Sequence, residues 1–335
     1  MSVAPSLSPD VLAIDAPDEA QRIAAAIARL VPHRLRRKGV VLGLSGGVDS
    51  SVAAALCVRA LGPGRVLGLL MPEADSSPES TQLGRLLADM LGIECILEDI
   101  SPILTAAGCY RRRDDAIRAV VPEYDERYRC KIVLPNLLDG DRYPLYSIVV
   151  RSPGGVERRA RLTLEAYLGI VAATNFKQRT RKMIEYYHAD RLHYAVIGTP
   201  NRLEYDQGFF VKGGDGLADM KPIAHLYKSQ VYQLADYLGI PDGVTSRPPT
   251  TDTFSLPQSQ EEFYYSLPTK KLDVVLHGLN EGRSLHAIAS DIGLTVDQVE
   301  RAIRDAQQKR KTTRYLHLPP QLVEQVIIDD VEVSV

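Results

Sequence analysis

The residues in this sequence that most clearly predict chemistry form a short loop with the sequence SGGVDS at positions 45–50. An apolar run at 40–44 precedes the loop, and a segment rich in alanine and valine follows it. The run is too short for a separate helix, so we predict a buried parallel strand, a loop and then a helix. Glycine lets a ligand approach the backbone, and the N–H groups at the start of a helix attract anions. The sequence therefore predicts a phosphate-binding site.

The loop is not of the type G-x-x-x-x-G-K-[ST], because it has no lysine. It resembles the signature of the ATP pyrophosphatases. In that group the loop holds the β- and γ-phosphates that leave as pyrophosphate, and its aspartate helps to bind magnesium. The alternative, a glycine turn before an ordinary helix, is disfavoured because six specified residues rarely coincide with this order of elements. The resemblance implies ATP binding by Gly43, Ser45, Gly46, Gly47, Asp49 and Ser50.

The elements that must position this loop follow from the pattern of apolar residues. Further strands are predicted at 65–72, 93–100 and 194–199, and helices at 80–91, 164–189 and 228–237. This alternation predicts an α/β fold with a doubly wound parallel sheet, which is also the Rossmann-like fold that the resemblance implies. The ligand crevice of such a sheet lies at the carboxyl ends of its strands. We expect one domain over residues 1–335, with a flexible start at 1–14 and a helical C-terminal extension at 270–335.

The composition excludes several classes of protein. A net charge of -2 and a pI near 6.4 give no general basis for binding nucleic acid. The four cysteines never form a C-x-x-C pair, so neither a zinc site nor a redox pair is predicted. No apolar run is long enough to span a membrane and no secretion signal is recognisable, so we expect a cytoplasmic protein.

Residues 124–161 interrupt the alternation of strands and helices, and we predict that they are an insertion. Two short β-prone runs, at 146–150 and 156–162, flank a Ser-Pro-Gly-Gly sequence at 152–155 that is typical of a turn. This pattern predicts a β-hairpin. A mobile lid is the alternative, because long insertions in α/β proteins are often functional or poorly ordered.

Four further segments extend the resemblance and indicate a family. They lie at 175–183, 198–204, 213–219 and 222–231, in the order found in NAD synthetases. The chain resembles the ammonia-dependent type of that family. The resemblance implies that a carboxylate is joined to the AMP part of ATP with loss of pyrophosphate, and that ammonia then displaces AMP. The most direct expectation is the conversion of deamido-NAD and ammonia into NAD, with ATP and Mg²⁺ as cofactors.

The resemblance also implies roles for single residues. Asp49 and Glu204 would bind magnesium, an ion that prefers hard oxygen ligands. Catalytic roles are implied for Asp49, Thr199, Glu204 and Lys212, further ATP contacts for Arg179, Thr199, Lys228 and Thr250, and acceptor contacts for Asn175, Lys212, Asp219 and Arg247. Without the resemblance, Glu204 could instead be a surface acid, although this is the less favoured interpretation, and Thr199 could equally be a helix cap. Arg247 replaces a lysine of the family, and its planar fork changes the expected phosphate geometry.

Two segments depart from the family pattern on the expected acceptor side. One is the insertion at 124–161, and the other is 253–265, where the family usually has an acidic stretch with Glu-Leu-Gly. These departures leave open a different acceptor, such as a sugar-acid or nucleotide-sugar carboxylate of a specialised pathway. A tRNA-modifying ATP pyrophosphatase is less favoured, because paired cysteines and a basic charge balance are missing.

The remaining expectations concern partners. Glutamine-dependent relatives carry a long N-terminal amidase domain, for which the residues before position 40 leave no room, so we expect free ammonia or ammonia from a separate amidase. The resemblance implies a homodimer. Residues 284–301 look like a helix-turn-helix, but NAD synthetases have a similar helical pair, so we expect no nucleic-acid or membrane partner. The basic tail that follows either closes over the nucleotide site or packs on the surface.

Overall fold

The computed structural model of the chain describes residues 9–134, 146–250, 253–265, 267–324 and 326. In chain order the strands are β1 (Val40–Gly43), β2 (Val66–Leu70), β3 (Glu94–Leu97), β4 (Arg129–Val133), β5 (Ser147–Arg151), β6 (Glu157–Arg161) and β7 (Ala195–Val196). The helices are α1 (Ala16–Arg29), α2 (Val48–Leu61), α3 (Pro78–Leu91), α4 (Ser101–Ala106), α5 (Cys109–Arg118), α6 (Leu164–Leu192), α7 (Arg202–Gln207), α8 (Lys228–Tyr237), α9 (Asp242–Thr245), α10 (Gln260–Phe263), α11 (Thr269–Asn280), α12 (Leu285–Ile292) and α13 (Val296–His317).

The central sheet is parallel and has the strand order β3-β2-β1-β7, which confirms the predicted doubly wound fold. Successive residues of β1 point to opposite faces, and both faces are covered. Val40 and Leu42 pack into a core with α2 and α8, whereas Val41 packs into a core with α6. The chain leaves β1 toward β2 on one side and later returns to β7 on the other. The carboxyl end of β1 is therefore the switch point at which ligands bind.

The strand predicted at 194–199 is shorter than expected and comprises only β7. Ile197 makes a single parallel bridge to Met220, and the chain then turns at Gly198 toward the carboxyl end of β1. The early end of β7 frees residues 198–201 from the sheet. This is what allows them to reach the switch point.

The insertion is a second sheet, antiparallel, with the order β4-β5-β6. β5 and β6 form the predicted hairpin. β4 was not predicted from the sequence. Its alternate residues Cys130 and Ile132 are fully buried, and with Ile148 of β5 they pack against α5 and α6. Residues 135–145 of the predicted insertion lie outside the described residues.

The two ends of the chain differ from the expectation in detail. Residues 1–8 of the segment expected to be flexible lie outside the described residues, but Leu12 is buried against α11, and its carbonyl accepts a hydrogen bond from Gln233. At the other end, α12 and α13 are joined by Gly293 in the left-handed conformation, and Thr295 caps α13. Helix ends at His317, and residues 327–335 are not described. Within the described ranges, every helix is too short or too polar to cross a membrane.

Candidate active site

A cavity of about 500 Å³ lies at the carboxyl ends of β1, β2 and β7. That volume falls within the range of pockets for nucleotide-sized ligands. It brings together most residues that the sequence singled out: Gly43, Ser45, Gly47, Asp49, Ser50, Asn175, Arg179, Thr199, Glu204, Lys212, Lys228, Arg247 and Thr250. Gly46 and Asp219 do not line the cavity.

The loop at 45–50, which we call the Ser45 loop, is held rigidly at the start of α2. Ser50 and Ser51 donate their hydroxyl protons to the Gly47 carbonyl at 3.0 and 2.9 Å, and the Gly47 N–H donates to Ser45 Oγ at 3.3 Å. Gly46 has φ 72°, and a Cβ there would lie 2.6 Å from the Ser80 carbonyl oxygen. Only glycine accepts both this positive φ and this close approach of the neighbouring backbone. Gly46 thus supports the loop from behind, against the start of α3.

Asp49, in the first turn of α2, forms the centre of a charged cluster beside the loop. Its Oδ2 accepts a hydrogen bond from the Lys228 ammonium, and its Oδ1 accepts one from the Asn201 side-chain amide at 3.0 Å. The Lys228 side chain is only 4% exposed. Burial works to lower the pKa of Lys228, but the Asp49 and Glu204 carboxylates outweigh it and the pKa is raised. Lys228 therefore remains a cation at the floor of the cavity.

Glu204 lies on α7 next to this cluster. Its carboxylate accepts the Asn201 backbone N–H at 3.1 Å, which closes a capping box with Asn201. Its second oxygen accepts the side-chain amide of Gln260 at 3.0 Å. Burial, together with the Asp49 carboxylate, raises the pKa of Glu204 to about 7, although Lys228 acts in the opposite direction. Asn201, and not Thr199, caps α7.

The donor set suits a magnesium ion that is brought in with a phosphate ligand. Two carboxylates, Asp49 and Glu204, face the same small region, and burial next to Asp49 is what raises the pKa of Glu204. The described part of the chain has no group of three or more His, Cys, Asp or Glu side chains that could hold a metal. Mg²⁺ typically takes one or two carboxylates and completes its shell with phosphate and water, so this pair fits it.

The opposite wall contains Lys212 and Arg179. Lys212 donates to the backbone carbonyls of Tyr315 and Leu318 at 2.8 and 3.3 Å, at the end of α13. Arg179 donates to the Lys212 carbonyl at 3.2 Å. Tyr315 and Leu316 line the cavity. The end of α13 thus borders the cavity, whereas the preceding basic residues Lys309 and Arg310 pair with Asp305 and Asp206.

Asp219 lies beside β7 and does not line the cavity. Its carboxylate accepts the Val196 N–H at 2.7 Å and the Tyr186 hydroxyl at 3.2 Å. β7 is an edge strand, and its Val196 N–H points away from β1 and needs an acceptor. Asp219 thus supports β7, and its contact with the acceptor stays a prediction.

Sequence reasoning missed Asn201 and Gln260, which donate hydrogen bonds to the carboxylates of Asp49 and Glu204. Asn201 could have been found, because Asn followed three residues later by Glu is the signature of a capping box. Gln260 had no such signal. It lies 56 residues from Glu204 in a segment without the family pattern.

A buried group of charges, which we call the Lys177 cluster, lies behind the cavity and was also missed. It consists of Glu73, Asp75, Arg113 and Lys177. Lys177 donates to Glu73 and Asp75 at 2.8 and 2.7 Å and to the Thr253 carbonyl at 2.7 Å. Burial works to raise the pKa of Asp75, but Lys177 and Arg113 outweigh it and lower the pKa. The cluster joins α6 to two loops that border the cavity.

Comparison with known proteins decides the family. The sequence model described as NAD synthase matches residues 19–133 and 159–315. This chain belongs to the NAD synthase family. The residues left unmatched between the two segments, 134–158, include β5 and the first two residues of β6, whereas β4 lies within the matched range.

Relatives within the NAD synthase family match nearly the whole chain. The NH(3)-dependent NAD(+) synthetase of Rhizobium rhizogenes is 57% identical over 97% of this chain and 98% of its own length. That of Rhizobium meliloti is 59% identical over 95% of both chains. Two solved structures share the fold: NMN synthetase from Francisella tularensis, with a TM-score of 0.63, 21% identity and coverage of 92% and 99%, and NH3-dependent NAD synthetase from Campylobacter jejuni, with a TM-score of 0.60, 23% identity and coverage of 93% and 100%.

Proposed function

We propose that this chain amidates the carboxylate of deamido-NAD with ammonia, at the expense of ATP, and produces NAD, AMP and pyrophosphate. The observation that carries the proposal is the cluster of Asp49, Lys228 and Glu204 beside the Ser45 loop, in one cavity with Arg179 and Lys212. The Rhizobium relatives named NH(3)-dependent NAD(+) synthetase support it, because more than half of the aligned residues are identical and the alignments cover nearly the full length of both chains.

In the first step, an oxygen of the carboxylate attacks the α-phosphorus of ATP. The bond from that phosphorus to the bridging oxygen breaks, and pyrophosphate leaves with the electron pair. The Ser45 loop and the start of α2 offer backbone N–H groups and a positive helix end to the departing phosphates. Lys228 adds a fixed positive charge in a site where burial strengthens it. Magnesium held by Asp49 and Glu204 would supply further neutralisation of phosphate charge.

In the second step, ammonia attacks the acyl carbon of the adenylate. The bond from this carbon to the AMP oxygen breaks, and the nitrogen loses a proton as the amide forms. Thr199 lines the cavity directly after β7, and we assign it a contact with the adenylate. Asn175, Arg179 and Arg247 line the same cavity and are assigned to the two nucleotides.

The same relatives argue against a different acceptor. An alignment over 97% of the chain leaves too few residues outside it to omit either unusual segment, 124–161 or 253–265. These segments therefore do not distinguish the chain from proteins named NH(3)-dependent NAD(+) synthetase. A sugar-acid or nucleotide-sugar carboxylate is not favoured.

A homodimer and a cytoplasmic location complete the proposal. Exposed apolar side chains recur at four-residue spacing at both ends of α6: Leu164, Leu168, Met183 and Tyr187 are 54 to 73% exposed. Apolar side chains grouped on a surface in this way indicate an interface, and a second copy of the chain is the partner that we propose. All four cysteines are free thiols, which agrees with a reducing compartment.

The decisive experiment supplies the purified protein with ATP, Mg²⁺, ammonium and deamido-NAD, and follows NAD and AMP by chromatography. We expect one NAD for each AMP, and neither product when ammonium is omitted. Nicotinate mononucleotide in place of deamido-NAD serves as the matched acceptor control and should react far more slowly. Formation of AMP without NAD, or a preference for the control acceptor, would contradict the proposal.

A further inference from the structure

The two segments that depart from the family pattern meet in the structure. Residues 255–262 run along the edge of β4 that β5 leaves open. The Leu256 N–H donates to the Cys130 carbonyl at 3.1 Å, and the Cys130 N–H donates to Ser255 Oγ at 2.9 Å. Further along, the Leu134 N–H donates to the Glu262 carbonyl at 2.9 Å. The segment thus extends the inserted sheet by one more strand-like edge.

Side chains fix this contact more firmly than the backbone alone. The Gln258 amide, which is 4% exposed, donates to the Ile132 carbonyl. Lys131 pairs with Glu262 at 3.0 Å. Phe254 enters the buried core of the inserted sheet together with Ile148, and Phe263 packs against it. We call the inserted sheet and residues 253–265 together the brace.

The brace reaches the cluster of Asp49, Lys228 and Glu204. Ser259 caps α10, and Gln260 is the first residue of that helix. The Gln260 N–H donates to the Pro249 carbonyl at 3.2 Å, which places the side-chain amide in the cavity, 3.0 Å from Glu204 Oε1. A second contact of the same segment, from the Tyr264 hydroxyl to the Gln207 carbonyl at 2.7 Å, holds the end of α7. The helix that carries Glu204 is therefore held at both ends.

We propose that Gln260 is a positioning residue for Glu204 and that the brace exists to hold it there. The proposal rests on the function proposed above. One Glu204 oxygen is held by Asn201, so a donor on the other oxygen fixes the plane of the carboxylate. A neutral amide does this without cancelling the negative charge, and each oxygen retains a lone pair for a cation. A lysine at this position would neutralise the carboxylate.

The test replaces Gln260 by methionine, which keeps the length of the side chain and removes the donor. A hydrogen bond to a charged group typically changes an equilibrium by about tenfold or more. We expect the Mg²⁺ concentration for half-maximal rate to rise about tenfold for Gln260→Met, while the KM for deamido-NAD stays within about twofold. Gln307→Met, at an exposed glutamine of α13, is the matched control and should leave both values unchanged.

A second readout needs no turnover. Calorimetric titration of ATP into the protein without acceptor, at a series of Mg²⁺ concentrations, should show the same displacement for Gln260→Met. If the wild-type protein makes no NAD, this titration still tests the positioning role. A Mg²⁺ dependence equal to that of the wild type in the titration would overturn the proposal, whatever the acceptor is.

A separate variant, Ile148→Ala, tests the role of the brace. Ile148→Ala weakens the core of the inserted sheet without touching the cavity, so it should raise the half-maximal Mg²⁺ concentration in the same direction as Gln260→Met. A less stable protein with unchanged Mg²⁺ dependence would contradict this part. Should Gln260→Met fold poorly, Gln260→Leu also removes the donor and adds no charge beside Glu204. It is expected to raise the Mg²⁺ requirement about as much, and no change would overturn the assignment.

Discussion

The Ser45 loop and the turn between β5 and β6 are both glycine turns, but they differ in what surrounds them. Gly46 has φ 72° and Gly155 has φ 83°. A Cβ at Gly46 would meet the backbone of α3, whereas a Cβ at Gly155 would meet nothing within 4 Å. The charges differ in the same way: the Asp49–Lys228 pair is buried, and the Arg151–Glu157 pair of the hairpin is about half exposed. The surroundings of the Ser45 loop are closely packed, while the turn of the hairpin has open space around it.

The largest expected effect concerns the charged cluster of Asp49, Lys228 and Glu204 beside the Ser45 loop. Asp49→Asn removes the partner of Lys228 and one of two carboxylates that we assign to magnesium. We expect pyrophosphate release to fall by about three orders of magnitude, as for loss of a major electrostatic contribution. The measurement is a coupled pyrophosphate assay. Glu157→Gln in the hairpin should stay within about twofold of the wild type, and equal losses in both variants would remove the contrast.

The next effect compares the stability lost when a buried lysine, Lys177, or a partly exposed lysine, Lys131, is replaced. Lys177→Met leaves the buried carboxylates of the Lys177 cluster without their ammonium, so the free energy of unfolding should fall by about 3–5 kcal/mol. Lys131→Met breaks a partly exposed pair of the brace and should lower it by at most about 1 kcal/mol. Urea denaturation measures both. A smaller loss for Lys177→Met than for Lys131→Met would reverse the comparison.

A third effect concerns Asp273 of α11, whose buried carboxylate accepts the N–H and hydroxyl of Ser229, next to Lys228. Burial raises its pKa to about 6, although the hydrogen bonds from Ser229 act against this. Because the folded pKa exceeds the unfolded value of 3.8, the carboxyl group stabilises the fold below that value, and the contribution is lost as the pH rises through about 6.

The corresponding variant is Asp273→Asn, which keeps an acceptor for Ser229 and cannot ionise. Between pH 4 and pH 7 the free energy of unfolding of the wild type should decrease relative to that of the variant by roughly 2 kcal/mol. Denaturation at several pH values measures the difference. Asp297→Asn, at an exposed position of α13, should show no such trend. A difference in the free energy of unfolding between wild type and Asp273→Asn that stays constant with pH would show that burial does not raise the pKa of Asp273.

The smallest effect lies in the turn of the hairpin. Gly155→Ala introduces only the strain of a positive φ, which should cost about 1 kcal/mol. Gly46→Ala adds a clash with the Ser80 carbonyl and should cost more, with loss of ATP binding. Thermal unfolding and ATP titration separate the two. Equal costs at the two positions would mean that α3 can move away from the loop.

The sequence predicted those parts of the site whose functional residues follow one another in the chain. The Ser45 loop, β1 and α2 are adjacent in the chain, and local glycine and helix signals specify them. The pairing of β4 with 255–262 was not predictable, because it depends on contacts such as Lys131 with Glu262, which lie 131 residues apart. The support that Asp219 gives to β7 was not predicted for a related reason. It depends on β7 being the edge strand of the sheet, which an apolar run from 194 to 199 does not reveal.

The ion pairs of the brace have a consequence for ionic strength. Pairs at its surface, such as Arg151 with Glu157 and Arg158 with Glu123, are roughly half exposed, and salt screens such charges within about 10 Å at 0.1 M. The Lys177 cluster is shielded from the same ions by burial. Rising salt therefore weakens the ion pairs of the inserted sheet first and those of the Lys177 cluster last, so loss of stability at high salt should begin at the edge of the molecule.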